Sequence, residues 1–186
     1  MSCTQDKRGL ILKELDIANI GEWAESLHAG EEALLNGYVY TARDAVHKKF
    51  AALIAEGKEL PIDIRGAVVY YAGPTPSKNG MAVGSCGPTT SSRMDKNTPM
   101  LLERGLGGII GKGERNREVV ESIKNNKAVY FCALGGAGAL YANCIKSCEV
   151  IAFDELGCES LKRMRVERFP VFVAVDSHGG NIFERK

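Results

Sequence analysis

The sequence predicts an α/β fold with a mixed sheet, built as one domain that spans residues 1–186. Short β-branched runs alternate with amphipathic segments through the second half of the chain, which favours a parallel βα arrangement in this C-terminal half. Strand-like runs are crowded in the first half, where mixed or antiparallel pairing is expected. No repeat, low-complexity tract or Pro/Ser-rich linker divides the chain, so a single domain is expected.

Two strands and one helix are predicted in the first half of the chain. Residues 34–40 and 67–72 are apolar, aromatic and β-branched, which is typical of buried strands. A helix is expected between them, because Thr41 is a plausible N-cap with Asp44 three residues on, and Gly57 is a fitting end. The apolar residues of this helix fall on one face: Val46, Phe50, Leu53 and Ile54.

The second half alternates between helices and strands. Thr98 and Pro99 form a good N-cap and N1 pair, so a helix is predicted from there to Arg104. The segments that follow are, in order, strand 108–111, helix 117–125, strand 128–132, a short helix near Tyr141, strand 150–153, a short helix at 160–164 and strand 171–175.

The densest polar stretch is GSCGPTTSSRMD, at residues 84–95. Its run of four hydroxyl residues follows a Gly-Pro turn, and such hydroxyls together with backbone N–H groups suit an anion. Arg93 can add a bidentate contact to a carboxylate. The alternative is a capping turn with a solvated arginine, and the residues alone favour neither interpretation.

Two other cations lie where an anion could bind. Arg43 is expected in the first turn of its helix, where the helix dipole disfavours a cation unless an anion is bound there. Lys112 follows a predicted strand in Gly-Lys-Gly, and the carboxyl ends of strands line the usual ligand crevice of α/β sheets. The alternatives are an exposed surface arginine and a simple turn. The loop LGGAGAL at 134–140 does not match the dinucleotide pattern, so a tight turn is favoured.

Composition and cysteine usage exclude several classes of protein. Lys plus Arg number 24 and Asp plus Glu 23, and a net charge of +1 argues against a nucleic acid or an anionic membrane as partner. Six cysteines are too sparse for a disulfide scaffold, and Cys144, Cys148 and Cys158 lack the spacing and the histidine of a metal site, so no metal is expected on this chain. No signal peptide or spanning segment is visible, so a soluble, cytoplasmic protein is predicted. His47 follows Arg43 by one helical turn and could face the same site, but it is interpreted as a partner for a surface carboxylate.

The motifs together resemble one family. They occur in one order and are YTARDAVHKK (residues 40–49), YYAGPTP (70–76), GPTTSSRMD (87–95), GKG (111–113), DELGCESL (154–161) and FPVFVAVDSHGGNIF (169–183). The chain resembles the β subunit, or C-terminal domain, of class I iron–sulfur hydro-lyases, a family that includes class I fumarase and L(+)-tartrate dehydratase. The resemblance covers nearly the whole chain and is weakest over its N-terminal part.

The resemblance implies a swivelling β/β/α fold and a hetero-oligomer in which a partner α subunit carries a 4Fe-4S cluster. It implies the reversible hydration of fumarate to (S)-malate. It also implies that the dicarboxylate is bound by residues of the shared motifs, namely Arg43, Gly87, Thr89, Thr90, Arg93 and Lys112. Thr89 inherits the role of catalytic base, with an acid from the α subunit as the alternative.

Three other functions stay open at this point. The first is an L(+)-tartrate dehydratase β subunit, but those chains tend to carry cysteine where Ala42 stands and commonly lack the full GPTP loop of residues 73–76, so the resemblance favours fumarate. The second is a stand-alone module that binds a carboxylate or a nucleotide. The third is a redox protein with a cluster on Cys144, Cys148 and Cys158.

Overall fold

The computed structural model describes residues 2–5, 11–78 and 80–184. The strands are β1 (Ser2–Gln5), β2 (Ile11–Asp16), β3 (Glu32–Thr41), β4 (Val68–Tyr70), β5 (Gly108–Gly111), β6 (Val129–Cys132), β7 (Ile145–Ala152) and β8 (Leu161–Val175). The helices are α1 (Ile20–Trp23), α2 (Asp44–Ala55), α3 (Thr98–Leu102), α4 (Arg117–Asn125) and α5 (Gly138–Cys144). Short 3-10 turns lie at Ile17–Asn19, Ala24–Ser26, Ser91–Met94 and Asp154–Glu159.

The described strands form one mixed sheet of eight members that closes on itself. Strands β2 to β6 pair in parallel with their neighbours in chain order. The long strand β8 then runs antiparallel to both β6 and β3, so β3, β4, β5, β6 and β8 complete a ring. Strand β1 extends the sheet beyond β2, and β7 extends it beyond the first half of β8.

Alternate side chains of the parallel strands belong to two different apolar cores. Neighbouring residues such as Ile109 and Ile110 belong to different cores, because successive side chains of a strand point to opposite faces. One core contains Ile110 with aromatic residues that include Phe131 and Phe169. The other lies under α2, α3 and α4 and is filled from the helices by Val46, Phe50, Leu101, Val119 and Ile123. The parallel strands are therefore covered on both faces, and only the ends of these strands are not covered by the two cores.

The α/β class and the mixed sheet are confirmed, and α4 and β5 have the predicted bounds. The parallel pairs run from β2 to β6, however, so most of them involve strands of the first half, and only the pair β5–β6 lies wholly in the C-terminal half. Strands β7 and β8 are joined by the turn Asp154–Glu159 and can pair antiparallel, since no crossover helix separates them. None of the helices in the described ranges is long and apolar enough to cross a membrane.

Two local predictions are wrong. The helix expected at 160–164 is the start of β8, where Met164 and Val166 are buried while Arg165 is exposed, the two-residue period of a strand. Thr41 is not the N-cap of α2 but the last residue of β3. Its hydroxyl donates to the carbonyl of Ser160 and accepts from the amide of Lys162, so it joins β3 to β8 instead of capping the helix.

Candidate active site

The carboxyl ends of β3, β4, β5 and β6 lie side by side, and the loops that follow them form the candidate site. Arg43 follows β3, the loop 71–95 follows β4, Lys112 follows β5 and the loop 133–138 follows β6. Ligands of both open and closed parallel α/β sheets bind outside this edge, because the loops there present backbone N–H groups and side chains to one crevice. The motifs singled out in the sequence therefore meet at the place where a ligand is expected.

Arg43 lies at the N-cap of α2, one residue before the helical turn in which it was expected. Its Nη2 atom pairs with Glu159 Oε1 at 3.0 Å. Its Nη1 atom lies so close to Gly73 that a Cβ at that position would be 2.9 Å away. Its Nε atom is buried and has no hydrogen-bond partner in the described part of the protein. The guanidinium is therefore positioned between the loop after β4 and the turn before β8.

Arg93 forms a bidentate ion pair with Asp44. The distances are 3.0 Å from Nε to Oδ1 and 2.9 Å from Nη2 to Oδ2. Asp44 is the first residue of α2, where the helix dipole stabilises a carboxylate. The pair fastens the turn Ser91–Met94 to α2, and the Arg93 side chain stays about half exposed, at 49%. Since a guanidinium has five N–H donors, Arg93 retains donors for a ligand.

The loop 87–90 supplies hydroxyls and backbone at the same edge. The amide of Thr89 donates to the carbonyl of Tyr71 at 2.7 Å, and the Thr89 side chain is half-buried. Thr90 is exposed and forms an isolated parallel bridge with Lys112. Gly87 packs against Gly138, since a Cβ on Gly87 would lie 3.5 Å from the Cα atom of Gly138. The glycine loop after β6 is thus used for close packing against the candidate site.

Lys112 is the half-buried cation of this edge. Its side chain runs past Gly135, where an added Cβ would lie 3.6 Å from Cδ and 3.8 Å from Nζ. Throughout the described ranges, no carboxylate lies within ion-pair distance of its ammonium group. Arg43 and Arg93 each have a carboxylate partner, so Lys112 is the site cation whose charge is not offset within these ranges.

Sequence reasoning missed the buried hydroxyl network that positions these loops. Tyr130 donates to Ser91 Oγ at 2.9 Å or to the carbonyl of Gly113 at 2.8 Å, and the amide of Lys112 donates to Ser91 Oγ at 3.1 Å. Ser91 also lies against Gly111, where an added Cβ would be 2.0 Å from Ser91 Oγ. Only glycine fits there, which explains the first glycine of GKG. The run of hydroxyl residues indicated this network in the sequence, but no sequence pattern shows which of these residues points inward.

A buried ion pair lies under the site and was also missed. Arg115 Nε and Asp95 Oδ1 are 2.7 Å apart, and their side chains are 0% and 8% exposed. Arg115 Nη2 donates to Thr98 Oγ1 at 2.9 Å, and the guanidinium lies 5.1 Å from the centre of the Tyr130 ring. Asp95 also accepts from the amide of Asn116 at 2.9 Å. The pair therefore connects the loop after β4 to the start of α4.

His47 is buried, so its interpretation as a partner for a surface carboxylate is wrong. Its side chain is 1% exposed, its Nδ1 atom donates to the carbonyl of Arg43 at 3.0 Å, and its ring meets the edge of Tyr71. The pKa of His47 is lowered to about 4, chiefly by burial, with the charge of Arg115 acting in the same direction. His47 is therefore neutral at pH 7.

His47 is expected to make the protein acid-sensitive. The unfolded chain gains a proton on histidine near pH 6.5, whereas folded His47 resists it until about pH 4, so stability is lost as the pH falls through this window. At pH 5 the loss is about 2 kcal/mol relative to pH 7. Urea unfolding of the wild type and His47→Gln at both pH values measures it, and the variant should lose about 2 kcal/mol less. The exposed His28 provides a matched control, His28→Gln. Equal acid sensitivity of the wild type and His47→Gln would contradict the assignment.

The described residues contain no group of three or more His, Cys, Asp or Glu side chains arranged to hold a metal ion. The thiols of Cys86 and Cys132 are buried, those of Cys144 and Cys148 are half-buried, and that of Cys158 is exposed. These side chains do not fit an iron–sulfur cluster.

The fold and the site define a class of protein: an α/β domain that gathers two arginines, a lysine and two threonines at the carboxyl edge of parallel strands. The family follows from comparison with known proteins. The chain belongs to the Fumarase C-terminus family, whose model matches residues 3–186.

The relatives of this chain differ in length. The chain is 37% identical over 166 residues to a Methanocaldococcus jannaschii protein whose provisional name is L(+)-tartrate dehydratase subunit beta, and the match covers 86% of this chain and 85% of that protein. It is 38% identical over 153 residues to the anaerobic class I fumarate hydratase of Escherichia coli, and 35% identical over 158 residues to fumarate hydratase 2 of Leishmania major. These matches cover 81% and 84% of this chain but only 28% of each relative. The chain therefore spans little more than a quarter of these two fumarate hydratases.

Proposed function

We propose that the chain is the β-type part of a class I fumarate hydratase, which adds water reversibly to fumarate to give (S)-malate in a hetero-oligomer with an α-type chain. The observation that carries the proposal is Lys112, which has no carboxylate within ion-pair distance in the described ranges and whose backbone is bridged to Thr90, at an edge where Arg43 and Arg93 also lie. Membership of the Fumarase C-terminus family supports it.

The proposed roles follow from charge and position. Arg43 and Arg93 bind the carboxylates of the substrate through donors that their ion pairs leave free. Removal of a proton next to a carboxylate spreads negative charge onto that carboxylate. Lys112 stabilises this charge most directly, because its own charge is not offset by a carboxylate within the described ranges. Gly87 and Thr90 complete the wall of the binding site.

Thr89 is proposed as the group that takes this proton. A hydroxyl is a weak base, so its alkoxide must be stabilised by a neighbouring cation or by N–H groups. Thr90, the residue after Thr89, forms an isolated bridge with Lys112. The Lys112 ammonium is therefore proposed as the neighbouring cation. An acid on the partner chain is the alternative, and Thr89→Ser and Thr89→Val separate the two, because only the valine variant lacks the hydroxyl.

The 4Fe-4S cluster of the proposed enzyme is assigned to the α-type chain, since the described residues of this chain do not fit one. When bound there, an open iron supplies Lewis-acid chemistry to the substrate hydroxyl. The contribution of this chain is to bind and orient the dicarboxylate and to stabilise its developing charge.

A second candidate is L(+)-tartrate dehydration, which the name of the Methanocaldococcus relative suggests. Two features favour fumarate, and both lie around Arg43. Ala42, which replaces the cysteine common in tartrate dehydratases, is fully buried beside it. Gly73, the first residue of the GPTP loop, lies directly against its Nη1 atom.

Assembly and assay distinguish these functions. The chain is mixed without oxygen with an α-type chain of a class I fumarate hydratase, and the formation of malate from fumarate is measured next to the dehydration of L(+)-tartrate. We expect turnover of fumarate by the mixture and none by either chain alone. Preference for tartrate would support the second candidate, and activity of this chain alone would reject the subunit role. Calorimetry with the isolated chain tests the stand-alone module, which requires nucleotide binding without a partner.

A further inference from the structure

The segment DELGCES, residues 154–160, was singled out in the sequence but has no role in the proposed function. It forms the 3-10 turn Asp154–Glu159 between β7 and β8 and packs on α2. We propose that Glu159 of this turn is a positioning residue, which orients the Arg43 guanidinium for the carboxylate of the substrate. The inference rests on the proposed function for its kinetic consequences, but its structural part can be tested separately.

The two sides of the Arg43 guanidinium are both occupied. Glu159 Oε1 forms an ion pair with Nη2 at 3.0 Å, and the side chains of Arg43 and Glu159 are only 19% and 24% exposed. Nη1 lies against Gly73, where an added Cβ would be 2.9 Å away and would displace the guanidinium. An arginine has four side-chain torsions to lose on binding a ligand, so a partner that fixes it in advance lowers the cost of binding.

The position of Glu159 is itself fixed by the turn. Lys162, whose ammonium is buried, donates to the carbonyls of Gly157 at 2.8 Å and Cys158 at 3.3 Å. Ser160 Oγ donates to the same Gly157 carbonyl at 2.8 Å. Gly157 has a φ of 58° and a ψ of −116°, which is strained for residues with a side chain. These contacts close the turn around the Lys162 ammonium and leave the Glu159 carboxylate pointing at Arg43.

Thr41 connects the two segments that carry the Arg43–Glu159 ion pair. The Thr41 hydroxyl donates to the Ser160 carbonyl at 3.1 Å and accepts from the Lys162 amide at 3.1 Å. Thr41 ends β3 two residues before Arg43, and Ser160 directly follows Glu159. A displacement of the turn therefore moves Glu159 relative to Arg43. Arg93 is positioned in the same manner by Asp44, so each of the two arginines of the site has its own carboxylate.

The kinetic test uses the assembled enzyme and three variants. Glu159→Ala should raise the KM for fumarate about 3–10-fold with a smaller change in kcat, because one long side chain must then be ordered by the substrate. Glu159→Gln retains an oxygen that accepts from Nη2, so it should recover part of this loss. Glu155→Ala is the matched control, since Glu155 lies in the same turn but forms an exposed pair with Lys49 at 3.0 Å. A KM that is unchanged or lower in Glu159→Ala would overturn the inference, a lower value meaning that Glu159 competes with the substrate.

The structural test needs no catalytic activity. The full 186-residue chain is treated with phenylglyoxal, which modifies arginine, and the extent of modification at Arg43 is followed by peptide mass mapping. Arg43 should react several-fold faster in Glu159→Ala than in the wild type or in Glu155→Ala. Equal rates in all three chains would overturn the inference. If Arg43 reacts as expected but the assembled enzyme does not hydrate fumarate, the proposed function fails while the positioning of Arg43 by Glu159 stands.

Discussion

Replacing Asp95 with alanine is expected to lower the free energy of unfolding by about 3–5 kcal/mol, because it leaves a buried arginine without its counter-charge. Arg115 is fully buried, with Asp95 Oδ1 2.7 Å from its Nε atom. Its remaining contacts are a hydrogen bond to Thr98 Oγ1 and the rings of Tyr71 and Tyr130, and none of these is an anion. The Arg115 Nη1 atom already has no hydrogen-bond partner among the described residues. The substitution would leave Nε without its carboxylate partner as well.

Urea unfolding at pH 7 measures this loss, and the chain offers a matched control. Asp63 and Arg65 form a similar pair, with Nε and Oδ1 3.2 Å apart, but both side chains are exposed. Asp63→Ala should leave the unfolding midpoint close to that of the wild type, because exposed ion pairs are screened by water. If Asp95→Ala and Asp63→Ala behaved alike, the buried pair would contribute little to the stability of the fold. The double variant Asp95→Ala/Arg115→Met should recover much of the loss, since it removes the stranded charge.

Local patterns were sufficient for much of the fold. Helix α4 has its predicted bounds because its N-cap Asn116, whose side chain accepts from the amide of Val119, and its apolar period both lie within one short segment. The segment 160–164 was assigned wrongly for the opposite reason, because its pairing with β3 involves residues more than 100 positions away in the chain. The closed ring depends on this one pairing, and no local pattern in the sequence indicates it.

Only the cations and the loops of the candidate site could be predicted from the sequence. Arg43 stands out as a cation at a helix start, Arg93 as a cation after a run of hydroxyl residues, and Lys112 as a cation between two glycines after a strand. Their partners could not be found in this way. Glu159 is 116 positions from Arg43, and Asp44 is 49 positions from Arg93, so only the sheet brings each pair together. Ser91 was noted as one of four hydroxyl residues, but its inward orientation follows from the absence of a side chain at Gly111.

Replacing Lys112 with alanine is expected to lower kcat of the assembled enzyme about 10²–10³-fold, a loss of about 2.7–4 kcal/mol of transition-state stabilisation. Of the three cations of the site, Lys112 alone lacks a carboxylate partner in the described ranges, so its full charge is available to the developing negative charge. Anaerobic initial rates of malate formation measure the effect. Lys146→Ala is the control, because Lys146 is exposed on β7 and its ammonium donates to the carbonyl of Asn143.

The division of the effect between kcat and KM shows how Lys112 acts. A charge that is needed only when negative charge develops on the substrate lowers kcat and kcat/KM equally, whereas a charge that only attracts the dicarboxylate raises KM and leaves kcat unchanged. The second outcome would contradict the assigned role. Lys112→Arg should not restore the rate, because the Lys112 side chain runs past Gly135, where an added Cβ would lie 3.6 Å from Cδ, and a planar guanidinium does not reproduce a compact ammonium there. Full activity of Lys112→Arg would show that charge alone, without this fit, is sufficient.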